Sequence, residues 1–433
     1  MKPTKNRYAI RLRTLSPLHI GSGTDFMPGS YIIDGKMLYE FDTVDFYHEL
    51  SPQLQRAFSM KATTAYTLKN FLDEHKETVK KVSMRSLHVT SEIARTYEKQ
   101  YNKDGTPNKN RLQIAKTATT ESIKIPYVPG SSFKGVIDTA LEIFTPKAGN
   151  EVRQNLLVSD LVSIDAKSFC GIAYRRHKTG EREGKGIPLM VEALEPESVF
   201  AGVIESDRRG ESEKIFSWKE IAQSLENFAR QADEKSFLSY KKIAPKGSIV
   251  FRMGRFSGQE FTAIGLTKKP VTHSLMKMNN GTLLPFGWVA LEYIEGKELE
   301  TLMETYKEYV EQKTKKIVER RSSLVDERKR REQEEEERKR KLETERQEEE
   351  KKKAAEVARL ASLSPVDRLL EEHDIPTLIR MMQNSEIEDY EKIKIELAQK
   401  IKKELKKTPK TWEKAKQKAL KRKEFIQKIL GEY

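Results

Sequence analysis

Between Leu324 and Ala354 only two apolar side chains, Val325 and Leu342, interrupt a run of charge. Such a segment has almost nothing to bury, so it cannot join a folded core, and it lacks the heptad seam on which a coiled coil would close. Its charges are spaced for pairing along one helix. Glu334, Glu335, Glu336 and Glu337 stand four residues before Arg338, Lys339, Arg340 and Lys341. Asp326 and Glu327 precede Arg330 and Arg331 in the same way, as Glu348 and Glu349 precede Lys352 and Lys353. The acid-first order is the favourable one, each pair adding about 0.2–0.5 kcal/mol. The spacing predicts a solvated single helix of about 45 Å over some thirty residues at ~1.5 Å each. A disordered charged linker is the alternative.

This stretch organises the rest of the chain. The 433 residues carry 80 Lys and Arg against 66 Asp and Glu, net +14, and 34% of them are charged, where about a quarter is usual. Residues 1–300 hold 44 basic and 36 acidic side chains; residues 301–353 are nearly neutral with 18 and 16. Residues 354–391 are acidic with 3 and 9, and residues 392–428 strongly basic with 15 and 4. The excess therefore sits diffusely in the first 300 residues and densely near the C-terminus. Its natural partner is a polyanion, nucleic acid first. The length suggests two or three domains: a core over 1–299, a charged helical spacer over 300–360 and a basic helical module over 361–433. A single cysteine, Cys170, excludes an internal disulfide framework and any multi-cysteine zinc site, and the seven histidines are scattered. No metal or other cofactor is expected. The N-terminus shows no signal peptide and no apolar run approaches the ~20 residues of a membrane span, so the expectation is a cytoplasmic protein without membrane contact.

Within the first part, Arg7–Arg13 alternates, with Tyr8, Ile10 and Leu12 on one face and three arginines on the other, which predicts a half-buried strand with a cationic outer face. Further strands are expected at Tyr31–Ile33, Met37–Phe41, Val199–Ile204, Ile249–Met253 and Trp288–Ile294, with a hairpin turn at Asp34-Gly35. Helical patterns cover Thr43–Leu50, Thr63–Lys81, Phe133–Ile143 and Ser217–Ala232. Strands and helices interleave, so the class is α/β or α+β. Lys99–Arg111 and His177–Gly186 read as polar loops. Near the C-terminus, Ser364-Pro365 is a helix cap with proline at the first helical position. Helices are expected over Ile387–Lys406 and Pro409–Leu430, the latter opened by Thr408-Pro409.

Three glycine-rich segments carry the chemistry. Ser16-Pro17-Leu18-His19-Ile20-Gly21-Ser22-Gly23 follows the first strand; its glycines allow close backbone approach and can form an anion nest. It is no dinucleotide fingerprint, and a tight turn is the plain alternative. Ile125-Pro126-Tyr127-Val128-Pro129-Gly130-Ser131-Ser132-Phe133-Lys134-Gly135 places Lys134 in the first turn of a helix. The dipole disfavours a cation there unless an anion is shared with the end's N–H groups; a plain capped helix is the alternative. The spacing is not that of a phosphate-binding P-loop. Gly281-Thr282-Leu283-Leu284-Pro285-Phe286-Gly287-Trp288-Val289 turns into a late strand and reads by itself as a structural turn with Trp288 in the core.

Taken together and in this order, the three segments resemble the RAMP superfamily of CRISPR-Cas systems. Ser16–Gly23 looks like its N-terminal loop, Ile125–Gly135 like its PGSSLKG element and Leu284–Val289 like its closing glycine loop. Tyr31–Tyr39 and Pro188–Pro196 look most like the branch that caps the guide-RNA (crRNA) 3′ end in type III-A Csm effector complexes. The resemblance covers about 5–295. It departs at Ile137-Asp138, where a basic residue is usual, and the charged helix and basic module lie outside it. It implies an α+β fold with a duplicated ferredoxin-like (RRM-related) core whose loops and central helix hold crRNA, with target RNA and other RAMP backbone subunits as further partners. The RNA-binding residues it implies are Gly21, Ser22, Gly23, Gly130, Ser131, Ser132, Lys134 and Gly135, with Arg175, Arg176, Arg252 and Arg255 as further cations; either arginine pair could equally be a solvated strand face.

Relatives in such complexes cut RNA with an aspartate or a histidine, for which Asp25, Asp34, His19 and His88 are the local candidates. A general base needs a positioned partner, and the sequence shows none, so no catalytic residue is assigned and a non-catalytic RNA-binding subunit is expected. Two alternatives stay open: an endoribonuclease processing precursor crRNA, and an adaptor whose basic extension recruits a protein partner or another RNA. A plainer expectation for the extension is that acidic 354–391 packs against the basic last helices.

Overall fold

The computed structural model describes residues 5–99, 113–144, 154–163, 165–178, 188–208, 214–261, 272–408 and 410–432. Residues 100–111 of the first expected polar loop and 179–186 of the second lie outside them. In chain order the elements are β1 (Lys5–Thr14), β2 (Gly21–Phe26), β3 (Tyr31–Asp34), β4 (Met37–Phe41), α1 (Thr43–Glu49), α2 (Pro52–Lys61), α3 (Ala65–Glu74), α4 (Lys76–Val82), β5 (Ser83–Val89), α5 (Ser91–Glu98), β6 (Ile114–Thr117), α6 (Gly130–Phe144), β7 (Leu156–Val158), β8 (Ser168–His177), β9 (Leu189–Leu194), β10 (Val199–Asp207), α7 (Trp218–Ala232), α8 (Glu234–Ile243), β11 (Ile249–Arg252), β12 (Thr272–Lys277), β13 (Leu283–Pro285), β14 (Trp288–Tyr293), α9 (Gly296–Ser362), α10 (Pro365–Glu372), α11 (Ile375–Gln383), α12 (Tyr390–Lys406) and α13 (Lys418–Ile429). They form two compact units, Met1–Leu324 and Val325–Tyr433.

The first unit holds two sheets. The smaller one has the order β11-β14-β1-β10-β7 and is antiparallel throughout. The path β1–α6–β7–β10–α7–β14 runs through it as a βαββαβ unit with β1 and β10 central, the ferredoxin-like arrangement. Ile10 and Leu12 of β1 are fully buried, and Phe133, Ile137, Ala140 and Leu141 of α6 and Ile221 and Leu225 of α7 cover the same core. Helix α7 is started by the capping box of Ser217 and Glu220. The cationic outer face of β1 is not open: Arg7 meets Glu205 at 3.3 Å, Arg13 meets Glu197 at 3.0 Å, and Arg11 lies 3.8 Å from Glu292 and pairs with Glu298. Arg7 and Glu205, and Arg11 and Glu292, are direct cross-strand neighbours.

The larger sheet follows the order β2-β6-β9-β8-β5-β4-β3, with β12 added to β8 and β13 to β12. Its strands arrive as three excursions from the first sheet: β2–β6 between β1 and α6, β8 and β9 between β7 and β10, and β12 and β13 between β11 and β14. The two sheets are thus interleaved in sequence; the first and third excursions leave or rejoin the smaller sheet through a glycine-rich segment, and the second is bonded to two of them, Leu161 to Val128 and Leu194 to Leu18. The expected helix Thr63–Lys81 is two, α3 and α4, broken at His75, whose ring lies 4.5 Å from that of Phe71.

Helix α9 runs for 67 residues. Its first part docks on the first unit: Arg320 donates to the carbonyls of Ser83 at 2.5 Å and Lys80 at 3.2 Å, capping the end of α4, and Leu324 packs against the cluster of Phe41, Phe46, Phe58 and Phe71. Beyond it part of the expected acid-first set forms, Glu335 with Lys339 at 2.9 Å and Glu337 with Lys341 at 2.8 Å among them, while Arg330 pairs forward with Glu334 at 3.8 Å. In the second unit Ser364 caps α10 with Pro365 at its start, and Asp374 caps α11. Leu378, Leu397, Ala398, Ile401 and Ile426 form its core. The last helix begins at Lys418, not at Pro409. The intervening segment turns instead, laying Trp412 into the core at 7% exposure, with Thr411 Oγ1 donating to the Leu405 carbonyl at 2.6 Å. Among the described residues no helix is long and apolar enough to cross a membrane.

Candidate nucleic-acid interface

The three glycine-rich segments meet. Leu15 and Ser16 donate their N–H groups to the Trp288 carbonyl at 2.8 and 3.2 Å, Trp288 N–H returns to Ser16 Oγ at 2.9 Å, and Gly287 N–H donates to the Pro17 carbonyl at 2.8 Å. The first segment is thereby zipped to the third. Ile20 accepts from Ala118 N–H at 2.8 Å, and Ala118 accepts from Tyr127 N–H at 3.3 Å, which leads to the second. The Phe133 ring of that second segment stacks on Phe251 of β11 at 5.7 Å. Leu15, Leu18, Ile20, Val128, Phe133, Val136, Phe251, Met253 and Trp288 all belong to one core.

Two glycines are demanded by the packing. At Gly287 φ is +85°, and a Cβ would stand 2.2 Å from the Met253 carbonyl; at Gly130 a Cβ would stand 2.2 Å from the Val158 carbonyl. Gly23, with φ +79°, and Gly135 have open space where a side chain would be.

Of the residues singled out from the sequence, Gly21, Ser22, Gly23, Ser131, Gly135, Arg175 and Arg255 are exposed, and Ser132, Lys134 and Arg176 are half-buried. Ser22 Oγ meets Thr24 Oγ1 at 2.9 Å. Gly130 is buried, and its N–H donates to Asp160 Oδ1 at 2.7 Å. The start of α6 is thus already capped by a carboxylate, and the N–H groups of Ser132 and Phe133 turn back to the Pro129 carbonyl. Buried and bonded in this way, Gly130 positions the element. Arg252 is corrected too. It is 2% exposed, donates twice to the Phe286 carbonyl at 2.9 and 2.7 Å, and lies over the rings of Phe261 and Trp288. Burial brings its pKa down to about 10. It holds the third segment in place. Arg175 and Arg176, on β8 opposite Ser274 and His273, sit on the larger sheet away from this zipper.

Arg255 does join the site. Its N–H donates to the His19 carbonyl at 2.9 Å, and its guanidinium lies 5.2 Å from the Phe256 ring centroid. Phe256 is half-buried, has φ +72°, and its ring stands 5.4 Å from His19 and 5.2 Å from Phe286. A bulky residue at positive φ is an outlier that surrounding structure must hold. Sequence gave no signal for Phe256, because the feature is a backbone angle.

His19 is fully buried, and its Nδ1–H donates to the Glu192 carbonyl at 2.6 Å, while Nε2 finds no hydrogen-bond partner among the described residues. Burial pushes its pKa below the ordinary 6.5. Asp34 is ion-paired with Lys80 at 2.7 Å and Lys76 at 2.9 Å, which hold its carboxyl below the ordinary 3.8. Asp25 is exposed on β2, and His88 is exposed beside a cavity of about 260 Å3 that Thr90, Phe169 and Glu195 also line. Among the described residues no group of three His, Cys, Asp or Glu side chains is placed to hold a metal ion.

Comparison with known proteins agrees with the residue-level resemblance. A curated relative from Streptococcus thermophilus, described as CRISPR system Cms protein Csm5, is 29% identical over 161 residues, 35% of this chain and 42% of that protein. The chain therefore spans less than half of that relative's length. A chain in the cryo-EM structure of the Csm–crRNA–target RNA ternary complex of a type III-A CRISPR-Cas system gives a TM-score of 0.45 at 17% identity, covering 66% of this chain and 100% of that one. The crystal structure of T. onnurineus Csm5 gives 0.44 at 18% identity, covering 65% and 99%. The RAMP superfamily itself matches residues 11–430. With that match over nearly the whole chain, and the three glycine segments joined on a ferredoxin-like sheet, the chain belongs to the RAMP superfamily.

Proposed function

We propose that this protein is a crRNA-binding subunit of a type III-A CRISPR-Cas effector ribonucleoprotein, capping the guide at its 3′ end and supporting its maturation. The observation that carries the reading is the junction of the three glycine segments, where Gly21–Gly23, Ser131, Gly135 and Arg255 are exposed, Arg255 being bonded to the His19 carbonyl of the first segment. Bare backbone next to cations suits a sugar–phosphate strand, and the Arg255–Phe256 pair offers a surface on which a base can stack. The similarity to Csm5 supports the choice of complex. Other RAMP subunits and target RNA are the partners of this reading. The subunit is non-catalytic in this account: His19 is buried and Asp34 ion-paired, and loss of RNA cleavage in Asp25→Ala or His88→Ala, with assembly intact, would overturn it.

The test is the length distribution of guides recovered from complexes assembled with the parent chain or with Gly23→Asp/Lys134→Glu. The reading expects shortened or ragged 3′ ends with unchanged 5′ ends. Identical distributions at equal subunit occupancy would contradict capping.

A further inference from the structure

The basic C-terminal module has no role in the reading above, and its charge is arranged rather than merely abundant. Over residues 392–428 there are 15 basic and 4 acidic side chains. If the acidic stretch 354–391 simply neutralised them, its carboxylates would point at the last two helices. The acidic stretch does pack against the last helices, Val366, Leu378 and Met382 sharing one core with Leu397, Ile401 and Ile426, and Asp374 feels Arg422 of α13, but much of its charge is engaged within the stretch itself. Glu356 and Glu371 both hold Arg359, Glu372 holds Arg368 at 2.8 Å, and Asp374 caps α11 by accepting from Thr377 N–H at 2.9 Å. Only Asp367 reaches into the body of α12, to Lys400 at 2.7 Å; Asp389 and Glu391 pair locally with Lys392 and Lys394 at its start.

The remaining cations converge. Lys402 and Lys406 from α12 and Lys423 from α13 bring their ammonium groups to 5.8, 6.0 and 5.6 Å from the Trp412 ring centroid. Lys402 is neutralised by Glu432. Among the described residues Lys406 and Lys423 have no carboxylate partner, nor have the exposed Lys403, Lys410, Lys414 and Lys416 of the same stretch. The contrast with α9, where charges pair along the helix, is internal to the chain. Like charges gathered at one place repel, and a polyanion relieves that repulsion.

We propose that the face around Trp412, where Lys406 and Lys423 converge, with the exposed Lys403 one turn before Lys406 on α12 and the exposed Lys414 two residues after Trp412, is a second nucleic-acid-binding surface that takes the phosphate backbone of an RNA strand. A protein partner fits less well: interfaces between proteins are depleted in lysine and depend on exposed aromatic or aliphatic anchors, whereas Trp412 and Ile426 are buried in the module. A lipid surface also fits less well, because Ile426, Phe425 and Ile429 face the module core and Leu420 alone is an exposed large apolar side chain on α13.

The experiment uses the full chain, with its guide bound, and a fluorescent unrelated single-stranded RNA as the probe, titrated at two salt concentrations. Four phosphate contacts at a slope of about 0.7 each predict a roughly 50-fold loss of affinity between 50 and 200 mM salt. Replacing the four lysines by glutamine should abolish probe binding while guide occupancy stays unchanged, and replacing them by arginine should preserve probe binding. Changing Lys134 and Arg255 should do the reverse, which separates failure of this surface from failure of the guide-binding reading. Probe binding by the glutamine variant equal to the parent, or capture of acidic phospholipid vesicles without capture of RNA, would overturn the proposal.

Discussion

Arg85 on β5 and Glu192 on β9 are joined by two hydrogen bonds, Nη1 to Oε1 at 2.8 Å and Nη2 to Oε2 at 3.2 Å, while Arg85 Nε reaches Glu40 at 2.6 Å. Glu192 is fully buried and also accepts from Ser168 Oγ at 2.7 Å and Thr117 N–H at 3.2 Å. Its carbonyl receives His19, so one residue ties the larger sheet to the first glycine segment. Burial opposes the charge of Glu40, yet Arg85 and Lys116 outweigh it and hold its carboxyl below the ordinary 4.5. Arg85→Met strands the buried Glu192 carboxylate and leaves Glu40 with Lys116 alone, and should cost roughly 3–5 kcal/mol in denaturant unfolding. A loss below about 1 kcal/mol would show that the network contributes little.

Gly287 and Gly23 separate packing from ligand access. Gly287→Ala meets both an unfavourable φ of +85° and the Met253 carbonyl, so it should destabilise the protein by more than about 2 kcal/mol. Gly23→Ala carries only the backbone penalty of about 1–2 kcal/mol, and should weaken RNA binding beyond that. Melting curves and RNA titrations of the two variants give opposite rankings if the assignment holds.

The buried imidazole makes stability depend on pH. His19 has a folded-state pKa below 6.5, so the unfolded chain takes up its proton first. Its contribution is intact above about pH 6.5 and is lost as pH falls below it, by up to about 1.4 kcal/mol per pH unit. His273, also lowered by burial, adds in the same direction. His19→Asn, which can keep the donor to the Glu192 carbonyl, should flatten the fall in melting temperature between pH 7 and 5.5. An unchanged slope would remove His19 from the account.

Surface and buried cations should part company in RNA titrations. Lys134→Ala and Arg255→Ala should each lower the slope of log affinity against log salt by about 0.7 if each meets one phosphate. Arg252→Ala should instead lower stability, since it leaves the Phe286 carbonyl unpaired.

What could be read beforehand follows the range of the forces involved. The alternation of Arg7–Arg13, the helical pattern of Ser217–Ala232 and the Ser364-Pro365 helix start are local signals, and each appears where the sequence puts it. The three glycine segments were legible as a set, but their zipper was not, because Ser16 and Trp288 are far apart in sequence. Arg252 misled because all four residues of β11 are buried, so alternation carries no information about its faces. Gly130 misled because its cap, Asp160, comes from thirty residues downstream. The start of the last helix was misplaced because burial of Trp412 overrides the Thr408-Pro409 cap signal.

The most direct test of the guide-binding reading is to purify the assembled complex through this chain and sequence the RNA that crosslinks to residues 21–23 and 131–135. The account predicts guides that share a repeat-derived 5′ tag, with crosslinks clustered at their 3′ ends. RNA lacking that tag, or crosslinks spread without preference along the guide, would contradict it.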